Sequence, residues 1–200
     1  MEPFARLRAV AAPLDLSNVD TDQIIPARFL RKPRGPGYER WCFHDLRFGP
    51  GGEPLGFVLD TPPWDRAGVL VASRNFGVGS SREAAVYALL AKGVRCVVAE
   101  SFGDILHANA LKNGLLPVRL PGPAVDALRE AVAASPGAEV EVDLEAQTLT
   151  APSGERHAFS VPPFARECLL RGLDEIGLTL TLLPEIRAAE ARAGLAGLAG

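Results

Sequence analysis

The chain has 200 residues, a formal net charge of −3 at pH 7 and 48% hydrophobic residues. This length and composition predict a single globular domain with a sizeable core. The net charge provides no overall attraction to nucleic acid or to an anionic membrane surface. No apolar run approaches the roughly 18 residues that span a bilayer, and the N-terminus lacks a signal-peptide segment. We therefore expect a cytoplasmic protein with neither a nucleic-acid nor a membrane partner.

The sulfur and imidazole side chains are isolated from one another along the chain. They are Cys42, Cys96, Cys168, His44, His107 and His157. An odd number of widely spaced cysteines without a C-x-x-C pair favours neither a disulfide framework nor an iron–sulfur site. No histidine stands at metal-ligand spacing from a second histidine or cysteine. We predict that this chain binds no metal or cofactor, so any cluster chemistry requires another chain.

Two features near the N-terminus have both a structural and a functional interpretation. Residues 4–16 predict a first strand, and Asn18, Asp20 and Asp22 then alternate as in an Asx-rich turn before Pro26. Residues 28–40 follow, with five basic side chains and one acid among several prolines and glycines. This composition predicts a mobile basic loop. It is either a solvated charge run or a flap that recognises a di- or tricarboxylate.

Apolar runs of strand length alternate with helical repeats through the middle of the chain. The predicted elements are strands 57–59, 68–72, 94–99 and 115–118, with helices 84–92 and 102–112. A strand–helix–strand order is typical of parallel strands joined by helical crossovers, and ligands on such sheets gather at the carboxyl ends of the strands.

The remaining third of the chain changes to alternating polar and apolar residues, as in half-buried antiparallel strands. The predicted elements are helix 124–134, strands 140–144, 148–150 and 157–161, and helices 164–173 and 184–193. Residues 194–200 repeat glycine, leucine and alanine, and we expect a frayed tail.

The most informative stretch, residues 73–83, reads Ser-Arg-Asn-Phe-Gly-Val-Gly-Ser-Ser-Arg-Glu and lies between a predicted strand and a predicted helix. Gly77 and Gly79 permit positive φ and close approach of a ligand to the backbone. Free N–H groups at a helix N-terminus and the forked cation of Arg82 favour an anion, a carboxylate above all. The competing interpretation is a capping box formed by Ser80 and Glu83. The spacing excludes a dinucleotide fingerprint, a P-loop and a nucleophile elbow.

Residues 75–83 resemble the signature of the aconitase superfamily's swivelling domain, and most of all that of the separate small subunits of 3-isopropylmalate dehydratase. Further resemblance covers residues 18–29, 56–59, 101–105, 112–117 and 172–179. The resemblance implies an α/β fold of the aconitase swivelling β/β/α type, with a mixed sheet and flanking helices, as one domain over residues 1–200. The implied protein is the small subunit of a heteromeric hydro-lyase, active only with an aconitase-like large subunit.

The family reaction isomerises 2- and 3-isopropylmalate, a dicarboxylate, by dehydration and rehydration in leucine biosynthesis. The resemblance implies a [4Fe–4S] cluster on the large subunit and none on this chain. It places Ser80 as the catalytic base and Arg82 as a carboxylate-binding residue, with Ser81 also assigned to substrate binding. In the basic loop, Arg28 is the first choice for substrate binding and Arg31 the second.

The sequence departs from the family's usual form at Val78, where cysteine is usual, at Ala84, where histidine is usual, and at Val86 and Tyr87, where proline and tryptophan are usual. These departures leave alternatives open. One is a paralogous small subunit acting on another 2-hydroxy diacid, such as homoaconitate or a methyl-substituted malate or maleate. Another is a non-catalytic assembly subunit that retains the fold. An unrelated nucleotide-binding domain is the third, supported only by Gly77 and Gly79.

Overall fold

The computed structural model describes residues 1–193, so the predicted frayed tail at 194–200 lies outside the described residues. A seven-stranded mixed sheet runs through the molecule in the order β4-β3-β2-β1-β5-β6-β7. The strands are β1 (Arg6–Pro13), β2 (Val69–Val71), β3 (Cys96–Ala99), β4 (Leu116–Arg119), β5 (Glu139–Asp143), β6 (Thr148–Thr150) and β7 (Arg156–Ala158). The predicted mixed α/β architecture is confirmed.

Helices flank the sheet on both faces. They are α1 (Thr21–Ile24), α2 (His44–Arg47), α3 (Glu83–Ala91), α4 (Asp104–Asn113), α5 (Gly122–Ala134), α6 (Pro163–Arg171), α7 (Glu175–Thr181) and α8 (Leu183–Arg192). Short 3₁₀ turns lie at Ala27–Phe29, Tyr38–Trp41, Val58–Asp60 and Trp64–Arg66.

The sheet has a parallel half and an antiparallel half that meet at β1. Strands β1, β2, β3 and β4 pair in parallel, and β1 pairs with β5 in antiparallel register. The burial patterns follow this division. All residues of β3 are buried, as expected where helices cover both faces, whereas β5 alternates buried and accessible residues. Continuous apolar runs in the sequence thus predicted the buried strands β2, β3 and β4, and polar–apolar alternation predicted the half-buried strands β5 and β6.

Two apolar layers form the core, one on each face of the sheet. Leu70 and Val97 belong to the layer that includes Phe76 and Leu106, while their strand neighbours Val69 and Val98 belong to the other. This split follows from the two-residue period of a strand, which sends successive side chains to opposite faces.

Three local predictions differ from the structure. The strand predicted at residues 57–59 is absent, because Phe57 caps a 3₁₀ turn that runs from Val58 to Asp60. The turn expected before Pro26 is a helical turn, Thr21–Ile24, because Asp20 and Gln23 cap each other's backbone. Helix α7 was missed, since a seven-residue helix on the surface carries little periodic signal.

A buried ion cluster holds the long connection between α1 and β2 against the body of the domain. Arg47, only 6% exposed, donates to both carboxylate oxygens of Asp60 at 2.7 and 2.8 Å. It also donates to the carbonyls of Glu39 and Cys42, and Lys92 donates to Asp60 at 3.1 Å. The connection that carries the basic residues is thus anchored at its far end.

None of the helices in the described part of the chain has the length and apolarity needed to cross a membrane.

Candidate active site

The glycine-rich turn lies where the sequence predicts it, at the carboxyl ends of the parallel strands. It follows β2 and is joined on one side to the loop after β1 by a parallel bridge between Asp20 and Val78. On the other side, a bridge between Phe76 and Phe102 joins it to the loop after β3. The turn is therefore the middle segment of three adjacent loops.

Two glycines permit this close packing. Gly77 has φ +73, and a Cβ there would lie 2.0 Å from Cδ2 of Leu106 on α4. Gly103 packs against Gly77 itself, since a Cβ on Gly103 would lie 2.4 Å from the carbonyl oxygen of Gly77. Side chains at these positions would separate the loops, so glycine here serves both backbone conformation and contact.

The capping-box interpretation of Ser80 and Glu83 is wrong for this helix. Helix α3 begins at Glu83, its N-cap residue is Arg82, and no side chain bonds to the cap. Ser80 lies two residues before the N-cap, too early for its hydroxyl to serve the first turn of the helix.

The backbone N–H groups around the helix start are left without partners. Within residues 1–193, the hydrogen bonds assign no acceptor to the N–H groups from Gly79 to Ala84. Ser80 and Ser81 are exposed, so these donors face solvent. A run of free N–H groups at a helix N-terminus is a general anion-binding arrangement.

Thr21 fixes the position of Ser80. Its Oγ1 donates to the carbonyl of Ser80 at 3.1 Å, and its backbone N–H donates to the carbonyl of Val78 at 2.9 Å. Thr21 is itself 2% exposed, so the side chain that holds the turn is sheltered from solvent. The hydroxyl of Ser80 remains free for a ligand.

Arg82 is sheltered and paired. Its side chain is 14% exposed, and its Nη1 forms an ion pair with the carboxylate of Asp22, which is 53% exposed. Asp22 belongs to α1, so the pair spans the gap between the turn and the first helix. A single carboxylate thus already occupies part of the guanidinium fork in this structure.

Arg34 of the basic loop packs against α3 near its start. Its Cζ lies 3.0 Å from the centroid of the Tyr87 ring, one turn of helix beyond Glu83. Hydrogen bonds from Asn113 and Tyr87 hold the pKa of Glu83 below its ordinary value, and the nearby charge of Arg34 acts in the same direction. Sequence reasoning did not single out Arg34. The signal available was only its membership of the basic loop.

Arg28 and Arg31 occupy different surroundings. Both Nη atoms of Arg28 donate to the carboxylate of Asp45, Nη1 at 2.8 Å. Arg28 also lines a pocket with His44 and Phe48. Arg31 is exposed. Among the described residues, no hydrogen bond or ion pair links either arginine to the Ser80–Arg82 segment. The free subunit therefore does not bring these two candidates together with the turn.

The cysteines do not fit an iron–sulfur cluster. All three are buried. Burial raises the pKa of Cys42 to about 12 and raises the pKa of Cys96 and of Cys168, whereas cluster ligation requires thiolates. Within residues 1–193, no three metal-ligating side chains of His, Cys, Asp or Glu type come together.

A mixed sheet with a glycine-rich anion turn at the carboxyl ends of its parallel strands is the architecture of an aconitase-type domain. The family model described as "Aconitase C-terminal domain" matches residues 1–123, and the model described as LeuD_N matches residues 126–163. The chain belongs to the family of 3-isopropylmalate dehydratase small subunits, as the following relatives show.

The curated relatives match over nearly their whole length. The 3-isopropylmalate dehydratase small subunit of Rhodospirillum centenum is 50% identical and covers 96% of this chain and 95% of its own. That of Jannaschia sp. is 47% identical, with 98% of both chains covered. The solved structure of 3-isopropylmalate dehydratase from Methanocaldococcus jannaschii has a TM-score of 0.66 and 27% identity, and the match covers 92% of this chain and 99% of that one.

Proposed function

We propose that this chain is the small subunit of a hydro-lyase that interconverts 2-isopropylmalate and 3-isopropylmalate in leucine biosynthesis. The observation that carries the proposal is the turn itself. Free backbone N–H groups, a free Ser80 hydroxyl and the sheltered guanidinium of Arg82 lie together on a chain whose relatives are named for this activity. We expect the assembled enzyme in the cytoplasm.

Substrate binding is assigned first to Arg82. One carboxylate of the diacid takes the guanidinium fork of Arg82 and displaces Asp22. Two hydrogen bonds to this sheltered cation are stronger than the contact that the half-exposed Asp22 makes with Nη1. Ser81 and the free N–H groups contribute further donors. Arg34, held over Tyr87 and close enough to Glu83 to lower its pKa, is an additional cation from the basic loop. Arg28 and Arg31 remain candidates only if the loop rearranges.

Ser80 is proposed as the base that removes the proton from carbon. A serine hydroxyl is a weak base at neutral pH, so its alkoxide needs stabilisation. The free N–H groups from Gly79 to Ala84, the positive end of α3 and the charge of Arg82 supply it together. Thr21 bonds to the Ser80 carbonyl and not to its hydroxyl, and Ser80 is exposed, so the hydroxyl is available to a ligand.

The loss of hydroxide from the substrate requires a Lewis acid, which the buried cysteines of this chain do not provide. We therefore assign that role to an aconitase-like large subunit carrying a [4Fe–4S] cluster. The division of labour leaves this chain with carboxylate binding and proton transfer.

A second candidate keeps the same chemistry with a different 2-hydroxy diacid, homoaconitate or a methyl-substituted malate or maleate. Val78, which faces Asp20 across the turn, and the small Ala84 in the first turn of α3 favour it, because both change the side chains beside the free N–H groups. The reaction class is unaffected by this choice.

The experiment is reconstitution. Iron content and hydratase turnover are measured for this chain, for the large subunit and for their mixture, using isopropylmalate and the alternative diacids in parallel. We expect turnover only in the mixture, with isopropylmalate preferred, and no iron in this chain. Stoichiometric iron in the isolated chain contradicts the division of labour. A folded complex without turnover on any diacid supports the non-catalytic assembly subunit instead.

A further inference from the structure

Two asparagines with left-handed backbone conformation face each other beside the turn. Asn18 has φ 55 and Asn75 has φ 56, values that few residues other than glycine adopt and that asparagine tolerates. Nδ2 of Asn75 donates to Oδ1 of Asn18 at 2.7 Å. The loops after β1 and β2 therefore bend sharply at the same level and are bonded to each other at the bend.

Asn75 also bonds to the loop after β3. Its backbone N–H donates to Oγ of Ser101 at 2.9 Å, and the Ser101 hydroxyl donates back to Oδ1 of Asn75 at 3.1 Å. The Asn18 backbone N–H completes the group by donating to the carbonyl of Arg74 at 2.9 Å. One asparagine thus uses its amide oxygen, its amide nitrogen and its backbone N–H to join three loops.

The bonds that follow along the chain lead directly to the candidate base. Gly77 and Val78 donate to the carbonyl of Val19 at 2.6 and 3.2 Å, and Thr21 then holds Val78 and Ser80. Because each of these bonds depends on the register between the two loops, the position of Ser80 depends on the Asn18–Asn75 contact at their start.

We propose that Asn75 is a positioning residue for this reaction, which sets the register of the turn and so the placement of Ser80 and of the free N–H groups. The inference rests on the proposed function. It assigns Asn75 no contact with substrate. Its exposed side chain has a donor and an acceptor that both bond to neighbouring loops, and this use of both groups is the observation that carries the proposal.

The first test uses the free chain and needs no activity. Asn75→Gly keeps the left-handed backbone accessible and removes the side chain with both of its hydrogen-bonding groups. We expect amide hydrogen exchange, followed by NMR, to become about tenfold faster at Asn18, Gly77, Val78 and Thr21, because these N–H groups bond across the two loops. The amides of β3 serve as the internal reference. Unchanged exchange at the four positions overturns the proposal.

The second test uses the complex with the large subunit. We expect Asn75→Gly to lower kcat about tenfold at an unchanged yield of folded complex, and the double variant with Asn18→Gly to be no slower than Asn75→Gly alone, since both remove one shared contact. Gln147→Gly is the control, because Gln147 also has a left-handed φ, of 52, and bonds through its side chain, but in the turn between β5 and β6.

The outcomes separate the two proposals. A wild-type complex that turns over while Asn75→Gly matches Gln147→Gly in kcat overturns the positioning role and leaves the function standing. A wild-type complex without turnover on any diacid removes the function and with it the role of Asn75 in a reaction, and the exchange measurement then decides only whether Asn75 sets the register of the turn.

Discussion

Arg82 and Asp22 form an ion pair that joins the glycine-rich turn to helix α1. The two partners differ in exposure, since the side chain of Arg82 is 14% exposed and that of Asp22 is 53% exposed. Pairs with one solvent-exposed partner contribute only about 0–1 kcal/mol, so breaking the contact with Asp22 costs little. We therefore propose that a substrate carboxylate replaces Asp22 on Arg82.

Arg82→Lys keeps the charge at this position and loses the fork. We expect KM for the diacid to rise roughly 10- to 100-fold, the range for one charged hydrogen bond, with a smaller change in kcat. Steady-state kinetics on the complex measure both. Arg6→Lys is the matched control, because Arg6 also pairs with an aspartate, Asp143, but between β1 and β5 and away from the turn. An equal rise in KM for the two variants is the result that contradicts our assignment.

The basic loop yields a prediction about mobility and contact. We expect residues 28–40 to exchange amide hydrogens rapidly in the free chain and to gain protection when large subunit and substrate bind. Arg34→Ala removes the contact with Tyr87, so it should raise KM more than Arg31→Ala. Both arginines are exposed, but the contacts of the described residues place Arg34, and not Arg31, against Tyr87. Protection in the free chain equal to that of β3 would mean that the loop is a fixed part of the fold.

Ser80→Ala separates chemistry from stability. The structure shows no capping bond from Ser80, so the free energy of unfolding should change by no more than about 0.5 kcal/mol. Turnover should fall by about 10²–10⁴-fold if the hydroxyl is the base, while substrate still binds. Kinetics and denaturant unfolding, with Ser160→Ala as a surface control, measure the two effects. Near-normal turnover would falsify the assignment of Ser80.

Gly77→Ala tests why the turn is built from glycine. Gly52 provides the comparison, because it also has positive φ, +83 against +73, but has open space where a Cβ would lie. Both alanines carry backbone strain of about 1–2 kcal/mol. Gly77→Ala adds overlap with Leu106, so it should be less stable than Gly52→Ala by about a further 1–3 kcal/mol. Urea unfolding of the two variants gives this difference, and equal stabilities would rule out the overlap.

The Arg47–Asp60 cluster predicts a specific acid dependence. Burial alone would raise the pKa of Asp60, but hydrogen bonds from Arg47 and Lys92 outweigh it and lower the pKa below its ordinary value. The stabilisation is therefore present above an unfolded pKa of about 4 and is lost as pH falls through the folded pKa.

Asp60→Asn should remove that acid dependence and leave Arg47 buried without its counter-charge. We expect a loss of about 3–5 kcal/mol at pH 7, measured by urea unfolding across a pH series. Asp45→Asn breaks the exposed pair with Arg28 and should cost no more than about 1 kcal/mol. Similar losses in the two variants would show that the buried cluster has no special role in stability.

The sequence by itself determined the elements and the place of the site. Burial and backbone conformation select residue types position by position, so they leave local patterns in the sequence. These patterns are the strands with two apolar faces, the half-buried strands with one, and the glycines after β2. They placed the turn at the carboxyl ends of the parallel strands, and the family resemblance then supplied the roles proposed for Ser80 and Arg82. Helix α7 was missed because so short a helix repeats its pattern too few times.

Only the tertiary structure decided which residues meet. Ser80 and Glu83 have the spacing of a capping box, yet α3 begins two residues later than that motif requires, because Thr21 of α1 holds the turn. Arg28 and Arg34 are equivalent by composition, and packing alone puts Arg34 over Tyr87. Such contacts join residues far apart in the chain, and a local pattern carries no information about which distant side chain fills a given space.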